Sequence, residues 1–219
     1  MIFKQLYFIL LITILTTCTK FGENIYVKGK VVNPATGKGI PNVEIALQKK
    51  TTFEFSTGYK AVERVTTDAN GDFEIRHLGG LKQYYLNCMY SSSYYPLGWT
   101  VNGTFSDSYI TKIKKGKKNE VTFEMVPYGK LNFTIKNIDC NGGFDTLIRH
   151  INYSLNDYSA IAFPSIYTGC VDFPFSSSVE LPMGNWYFKW EVIKLGIKTI
   201  YYDTIFIEEN QLSTVEFFY

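Results

Sequence analysis

The feature that most constrains how this chain can fold is a two-residue alternation of apolar and polar side chains. The alternation is visible at residues 25–31, 43–47 and 131–135, and residues 186–192 are its clearest example. A period of two is typical of β-strands that bury one face, and the many aromatic and β-branched residues favour strands. We find no helical periodicity longer than two turns after the N-terminal segment. The pattern therefore predicts an all-β fold.

Turn-forming residues divide the predicted strands into two groups. Of the 219 residues, 25–126 form the first group, and the sequence Pro-Tyr-Gly at 127–129 indicates a short joint before the second group at 130–219. A segment of about 90–100 residues is long enough for one β-sandwich. We therefore expect two consecutive β-sandwich domains, at 25–126 and 130–219.

The N-terminus has the pattern of an export signal. Lys4 supplies a positive charge and residues 6–15 an apolar stretch, which is shorter than the roughly 20 apolar residues that a membrane span needs. Residues 1–17 are therefore predicted to be a signal peptide. The sequence Leu-Thr-Thr-Cys at 15–18 resembles a bacterial lipobox.

The lipobox resemblance implies that a peptidase cuts before Cys18 and that the Cys18 sulfur carries a diacylglycerol. Residues 18–24 would then be a lipidated tether. Two or three acyl chains, of which palmitate is typical, are sufficient for stable membrane anchoring. We expect a cell-envelope protein anchored in the outer membrane, on its periplasmic side or at the surface. The alternative is a plain secretory signal in which Cys18 is incidental.

Three cysteines remain if Cys18 carries lipid. Cys88 lies in an alternating segment and is predicted to be a buried thiol that acts as a small apolar residue. Cys140 and Cys170 lie beside turn-forming residues, and an exported protein can keep a disulfide between them. Spacing alone cannot establish the geometry that a disulfide requires, so the bonded and the free states both remain open.

Three segments of the first half resemble the carboxypeptidase regulatory-like domain: Val-Lys-Gly-Lys-Val at 27–31, the glycine-containing segment 36–45, and Thr-Asp-Ala-Asn-Gly-Asp-Phe-Glu-Ile at 67–75. The resemblance implies a seven-stranded transthyretin-like (prealbumin-like) sandwich that is an accessory module without catalytic residues. In this interpretation Asn70 and Gly71 form a tight hairpin turn and the following strand buries Phe73. The second half resembles no such motif, and its immunoglobulin-like sandwich is inferred from alternation alone.

Composition and motifs argue against several functional classes. The chain has 22 Lys and Arg against 20 Asp and Glu, a formal net charge of +2, which argues against nucleic-acid binding. Its two histidines, His77 and His150, belong to no zinc-ligand motif. We therefore predict no catalytic residues, no metal and no cofactor, and a hydrolase is the less favoured alternative.

Asp68, Asn70 and Asp72 offer a calcium alternative, because oxygen ligands at alternate positions resemble part of an EF-hand loop. The glycine at 71 is at the fourth position rather than the sixth, and residue 79, the twelfth, is glycine rather than glutamate. A turn explains the same residues and is the preferred interpretation.

A concentration of aromatic residues lies between 84 and 109. Within it, the segment Tyr-Tyr-Pro-Leu-Gly-Trp at 94–99 is interpreted as a loop. Aromatic rings on a loop can stack on sugar rings or contact a protein partner, so Tyr94, Tyr95 and Trp99 are the candidate ligand-binding residues. The alternative is that this loop folds over one end of the sandwich and buries its rings.

Together these patterns predict a non-enzymatic cell-envelope lipoprotein that acts as a binding or scaffolding module at the outer membrane. Its expected partners are the membrane, through the lipid anchor, and either an envelope protein or a glycan. The main alternative is a glycan-binding surface lipoprotein that uses the aromatic segment 94–99.

Overall fold

The structure is a computed structural model that describes residues 23–53, 56–173 and 178–219. The predicted signal peptide and Cys18 lie outside the described residues. The described residues form 17 β-strands and no α-helix, so the predicted all-β fold is confirmed.

The strands of the first half are β1 (Asn24–Val32), β2 (Glu44–Phe53), β3 (Ser56–Thr66), β4 (Asp72–Leu78), β5 (Tyr84–Met89), β6 (Tyr94–Val101), β7 (Thr104–Ser106) and β8 (Ile110–Ile113). The strands that follow are β9 (Lys118–Lys136), β10 (Thr146–Leu155), β11 (Tyr158–Ile161), β12 (Ser165–Thr168), β13 (Asp172–Phe173), β14 (Val179–Pro182), β15 (Gly184–Lys194), β16 (Ile197–Ile207) and β17 (Leu212–Phe218).

Strands β1 to β8 and the first half of β9 form the first module, which is a sandwich of two sheets. One sheet has the order β4-β1-β9-β6-β7 and the other the order β3-β2-β5-β8. Strands β1 and β9 are parallel, and the other pairs in these two sheets are antiparallel. The inward positions of the alternating segments fill the core between the sheets, including Val27, Ile45, Phe73, Leu86 and Phe123.

The second half of β9 and strands β10 to β17 form the second module. One sheet has the order β11-β10-β15-β16, with β12 also paired to β10, and it faces β13, β14 and β17, which pair with β9. Its core contains the residues that the alternation predicted to face inward, among them Leu131, Phe133, Phe188, Trp190 and Val192. Two consecutive sandwiches are therefore present.

The two modules share strand β9, which runs unbroken for 19 residues from Lys118 to Lys136. The predicted joint at 127–129 is therefore not a break in the strand. Pro127 pairs with Tyr94 of the first module, and Tyr128 pairs with Pro182 of the second. A third group of buried residues packs across this point and is called here the junction cluster: Leu97, Val126, Tyr153, Leu155 and Met183.

The turn at Asn70 and Gly71 differs from the predicted hairpin. It joins β3 to β4, which belong to different sheets, so it carries the chain across the sandwich rather than between paired strands. Gly71 has a φ of 78°, and its carbonyl oxygen accepts a hydrogen bond from the Val31 amide at 2.8 Å. A Cβ at Gly39 would collide with the Asn70 carbonyl oxygen, so the two glycine-containing loops can pack this closely only without side chains. Phe73 is buried, as predicted.

Candidate functional site

The aromatic segment 94–99 is not a loop but most of strand β6. Trp99 is completely buried in the first core, where its ring centroid is 4.8 Å from that of Phe123 and its indole Nε1 donates a hydrogen bond to the Tyr109 carbonyl at 2.9 Å. A ligand has no access to this ring. The expectation that Trp99 binds a ligand is therefore wrong, because Trp99 lies on a strand and its side chain is part of the core of the first module.

Tyr95 joins the two modules. Its hydroxyl group is hydrogen-bonded to that of Tyr158 at 2.7 Å, and its ring makes edge contacts with Tyr128, Tyr153 and Tyr158. Burial, followed by the hydrogen bond to Tyr158, raises the pKa of the Tyr95 phenol. Its hydroxyl and ring contacts are thus made across the junction.

Tyr94, the third predicted residue, is half-buried and lines a groove of about 380 Å³ beside the junction. The groove is formed by the turn before β6, the middle of β9, β14 and the turn between β16 and β17. Its lining residues are Ser92, Ser93, Tyr94, Pro127, Tyr128, Gly129, Lys130, Glu180, Glu209 and Asn210. We call this the junction groove.

Backbone contacts hold the walls of the junction groove together. The Asn210 amide donates to the Tyr128 carbonyl at 3.1 Å, and the Lys130 amide donates to the Gln211 carbonyl at 2.8 Å. A Cβ at Gly129 would collide with the Glu208 carbonyl oxygen. Gly129 therefore allows the turn between β16 and β17 to lie directly against β9.

The junction groove offers both ring surfaces and hydrogen-bonding groups. Tyr94 and Tyr128 contribute aromatic rings, and Glu180, Glu209 and Asn210 contribute oxygen acceptors. Burial and the neighbouring Tyr95 and Glu180 raise the pKa of Tyr128, so its phenol is a neutral hydrogen-bond donor near neutral pH. This combination suits a polyhydroxylated ligand.

Sequence reasoning identified Tyr94 but missed the rest of the junction groove. Tyr128 was assigned to a joint, and Glu180 and Glu209 come from the second half of the chain, more than 80 residues from Tyr94. Only the path of β9 through both modules brings these segments together.

The groups that could support hydrolytic or metal chemistry are dispersed. His77 Nδ1 lies 3.1 Å from Glu63 Oε2, and His150 lies on the other module, beside Glu191. Cys88 is buried in the first core, and burial raises the pKa of its thiol. In the described ranges, no group of three or more His, Cys, Asp and Glu side chains is placed to hold a metal ion.

The residues of the calcium alternative form a turn. Asp68 Oδ1 accepts hydrogen bonds from the amides of Asn70 at 2.8 Å and Asp72 at 2.9 Å. These bonds account for the acidic residue at position 68, which is a common turn-stabilising residue.

Cys140 and Cys170 are joined by a disulfide, with their Cα atoms 5.3 Å apart. The same loops are held by Asp145, whose carboxylate accepts hydrogen bonds from the Asn137 side chain at 2.9 Å and the Asn141 amide at 3.0 Å. The hydrogen bond from Asn137 is the main reason that the pKa of Asp145 is lowered.

A cluster of charges lies on the outer face of the second module. Glu191 is buried and forms ion pairs with Lys189 at 2.6 Å and with Lys198, and its carboxylate lies 3.2 Å from His150 Nε2. The hydrogen bonds from Lys189 and Lys198 lower the pKa of Glu191 from 4.5 to about 2.

This pKa predicts how Glu191 contributes to stability. Because the folded pKa is depressed, the contribution is complete above the unfolded pKa of 4.5 and is lost as the pH falls towards about 2. We expect the melting temperature of Glu191→Gln to lie below that of the unsubstituted protein at neutral pH and to converge with it near pH 2. Thermal unfolding across this range measures the difference, and a gap that is independent of pH would contradict the assignment.

No helix in the part of the chain that the structure describes is long and apolar enough to span a membrane. 

Among comparisons with known proteins, only the comparison with solved structures finds similar proteins. A scan against protein-family models finds no match, and a search of curated proteins finds none. Among solved structures, the minor pilin GBS52 of Streptococcus agalactiae is similar with a TM-score of 0.35 and 12% identity, over 89% of this chain and 94% of that one. The shaft pilin SpaA of Lactobacillus rhamnosus GG has a TM-score of 0.31 and 8% identity, over 89% and 97%. The major pilin of Streptococcus pyogenes has a TM-score of 0.26 and 11% identity, over 90% of this chain and 99% of that one. At TM-scores this low the likeness says nothing about function.

Proposed function

We propose that this protein is a non-enzymatic cell-envelope lipoprotein that serves as a binding or scaffolding module at the outer membrane. The observation that carries the proposal is the shared strand β9, together with the junction cluster that packs across it. Two sandwiches joined in this way hold their surfaces at a fixed spacing, which is what a scaffold needs. A flexible linker would not provide that spacing.

Two further features support the location in the envelope. The disulfide between Cys140 and Cys170 is stable in an oxidising, exported compartment. The lipobox-like sequence at 15–18 supplies the anchor, and the resemblance of segments 27–31, 36–45 and 67–75 to the carboxypeptidase regulatory-like domain fits an accessory module. That resemblance is part of the proposal and implies no catalytic role.

The anchor is tested by metabolic labelling with palmitate and by membrane sedimentation. Cys18→Ala is expected to abolish the label and to release the protein from membranes, whereas the matched Cys88→Ala variant should keep both. Labelling that persists in Cys18→Ala would refute the lipid anchor. Cross-linking of the tagged protein in intact envelopes, followed by mass spectrometry, then tests the scaffold, which predicts a stoichiometric protein partner.

Glycan binding is the second candidate function, and the junction groove is the observation that favours it. Tyr94 and Tyr128 would stack on sugar rings, and Glu180 and Glu209 would accept hydrogen bonds from hydroxyl groups. Tyr95 would not contact the glycan. Its ring packs against Tyr128 and its hydroxyl group is hydrogen-bonded to Tyr158, so it would hold Tyr128 in place.

Binding to a panel of polysaccharides tests this second function. We expect Glu209→Gln to weaken the affinity about tenfold, the effect of losing one charge-assisted hydrogen bond, without changing the melting temperature. Glu208→Gln, one residue away and outside the groove lining, is the matched control. Equal effects of the two variants, or no binding to any polysaccharide, would rule out the groove as a glycan site.

A further inference from the structure

Strand β16 is a long edge strand whose outer side is open. It pairs with β15 along all 11 of its residues, from Ile197 to Ile207, and no strand within the described ranges pairs with its other side. Its large apolar side chains are unusually exposed, with Ile197 at 70% and Tyr202 at 76%. Such an edge is a template for another strand.

β16 carries two charged residues, Lys198 and Asp203, but it lacks other features that normally protect an edge. The strand contains no proline, and its register with β15 has no shift from one end to the other. The equally long edge strand β3 shows the contrast. It carries Lys60, Glu63 and Arg64, and its pairing with β2 contains a register shift. Natural edges are blunted in these ways, so the smooth, apolar edge of β16 indicates a surface that is covered when the protein functions.

The hairpin that precedes β16 determines which backbone groups face outward. Leu195 and Gly196 have φ angles of 50° and 77°, as a two-residue type I′ turn requires, so Lys194 and Ile197 form a hydrogen-bonded pair. Hydrogen-bonded pairs alternate along an antiparallel ladder. The backbone groups of residues 198, 200, 202 and 204 therefore point away from β15. Accordingly, the Thr204 amide donates to the Asp203 side chain at 2.7 Å.

We propose that a second copy of this chain pairs with β16 in antiparallel orientation, about a two-fold axis at Tyr201. An axis at Tyr201 places residues opposite each other when their numbers sum to 402. Because this sum is even, opposed residues lie on the same face of the sheet. Ile200 then exchanges hydrogen bonds with Tyr202 of the second copy, and Lys198 does so with Thr204, whose amide leaves the Asp203 side chain on pairing. Tyr201 meets its own counterpart in a non-hydrogen-bonded pair.

The order of residues along β16 is self-complementary in antiparallel pairing about Tyr201, which favours a second copy as the occupant. Lys198 and Asp203 are its only charged residues and lie on either side of Tyr201. Lys198 and Asp203 lie on opposite faces of the strand, and Lys198 is ion-paired with Glu191 of its own copy. Antiparallel pairing about Tyr201 places Lys198 opposite Thr204 and Asp203 opposite Thr199, so no like charges meet. A parallel, in-register arrangement would place like charges opposite each other, which is unfavourable. Apolar residues face apolar residues, since Ile197 opposes Ile205. This self-association goes beyond the proposed function and does not depend on it.

A proline substitution tests the edge without breaking the β15–β16 ladder. The full chain in mild detergent is expected to sediment as a dimer. Tyr202→Pro removes an amide that points outward and so should give a monomer, whereas Tyr202→Ala keeps that amide and should remain at least partly dimeric. Circular dichroism and the melting temperature show that each variant is folded.

Cysteine cross-linking tests the register and does not rely on the proline variant. Opposed residues of a non-hydrogen-bonded pair have Cα atoms about 4.5 Å apart, within the disulfide range of about 4.4–6.8 Å. Tyr201→Cys should therefore cross-link two copies under oxidation. Tyr202→Cys should not, because its two copies would lie more than about 8 Å apart.

Three results would overturn the proposal. They are a monomeric unsubstituted protein, a dimer that folded Tyr202→Pro leaves intact, and a cross-link through Tyr202→Cys but not Tyr201→Cys. Loss of a different co-purifying protein in Tyr202→Pro would show that the edge accepts a heterologous strand, and would equally overturn pairing with a second copy.

Discussion

Replacing Trp99 with alanine is expected to lower the free energy of unfolding by about 3–5 kcal/mol, the usual cost of removing a large buried aromatic side chain. Trp99 is fully buried, contacts Phe123, and gives its indole hydrogen bond to the Tyr109 carbonyl. The substitution would leave both a cavity and an unpaired carbonyl. Since natural domains are stable by only about 5–15 kcal/mol, this loss is a large part of the total.

Urea unfolding followed by circular dichroism measures the effect, as a lower midpoint with an unchanged slope. Phe163→Ala is the control, because Phe163 is a large aromatic residue that is 97% exposed and its loss should cost less than about 0.5 kcal/mol. Trp99→Phe keeps a ring against Phe123 and should fall between the two. A Trp99→Ala protein of normal stability that has lost ligand binding would instead restore Trp99 as a ligand-binding residue.

Trp99 also shows what the sequence could and could not predict. The period-two pattern identified the inward residues of most strands, because burial on one face of a sheet leaves that pattern directly in the sequence. In the segment 94–99 the signal is obscured, since Tyr94, Tyr95, Leu97, Gly98 and Trp99 show no alternation. The segment is nevertheless a strand with a register irregularity between Pro96 and Gly98.

The sequence indicated a joint at 127–129 but not the single strand that continues through it, because proline and glycine usually end strands. Pro127 and Gly129 remain inside β9 for specific reasons. Pro127 pairs with Tyr94 and offers its carbonyl to the Met183 amide at 2.9 Å. Gly129 leaves room for the backbone at Glu208. These reasons lie in the other strands that meet there, and no local pattern reveals them.

The sequence also did not predict which strands pair with each other in the sheets. The turn residues Asn70 and Gly71 predicted a change of direction correctly, but they did not show that β3 and β4 belong to different sheets or that Gly39 packs against the turn. The junction groove depends in the same way on contacts between distant segments, so the sequence supplied Tyr94 without the groove that it lines.

Removing the disulfide between Cys140 and Cys170 is expected to cost about 3–4 kcal/mol. The bond closes a loop with a sequence separation of 30 residues, and the entropy of the unfolded chain that such a loop removes corresponds to this value. Urea unfolding of the Cys140→Ser/Cys170→Ser double variant should show the loss. The unsubstituted protein should show the same loss in a reductant, and the double variant should be insensitive to it.

The folded structure itself should change little when the bond is lost. Asp145 still connects the two loops, because its carboxylate accepts hydrogen bonds from Asn137 and Asn141 while its carbonyl accepts one from the Gly169 amide at 2.8 Å. The circular dichroism spectrum of the double variant should therefore match that of the oxidised protein although its unfolding midpoint is lower. A changed spectrum would show that the bond shapes the native loops, and an unchanged midpoint would show that the bond is absent in solution. Alkylation of the unfolded, unreduced protein separates these cases, since Cys88 is the free cysteine of the described residues and alone among them should react.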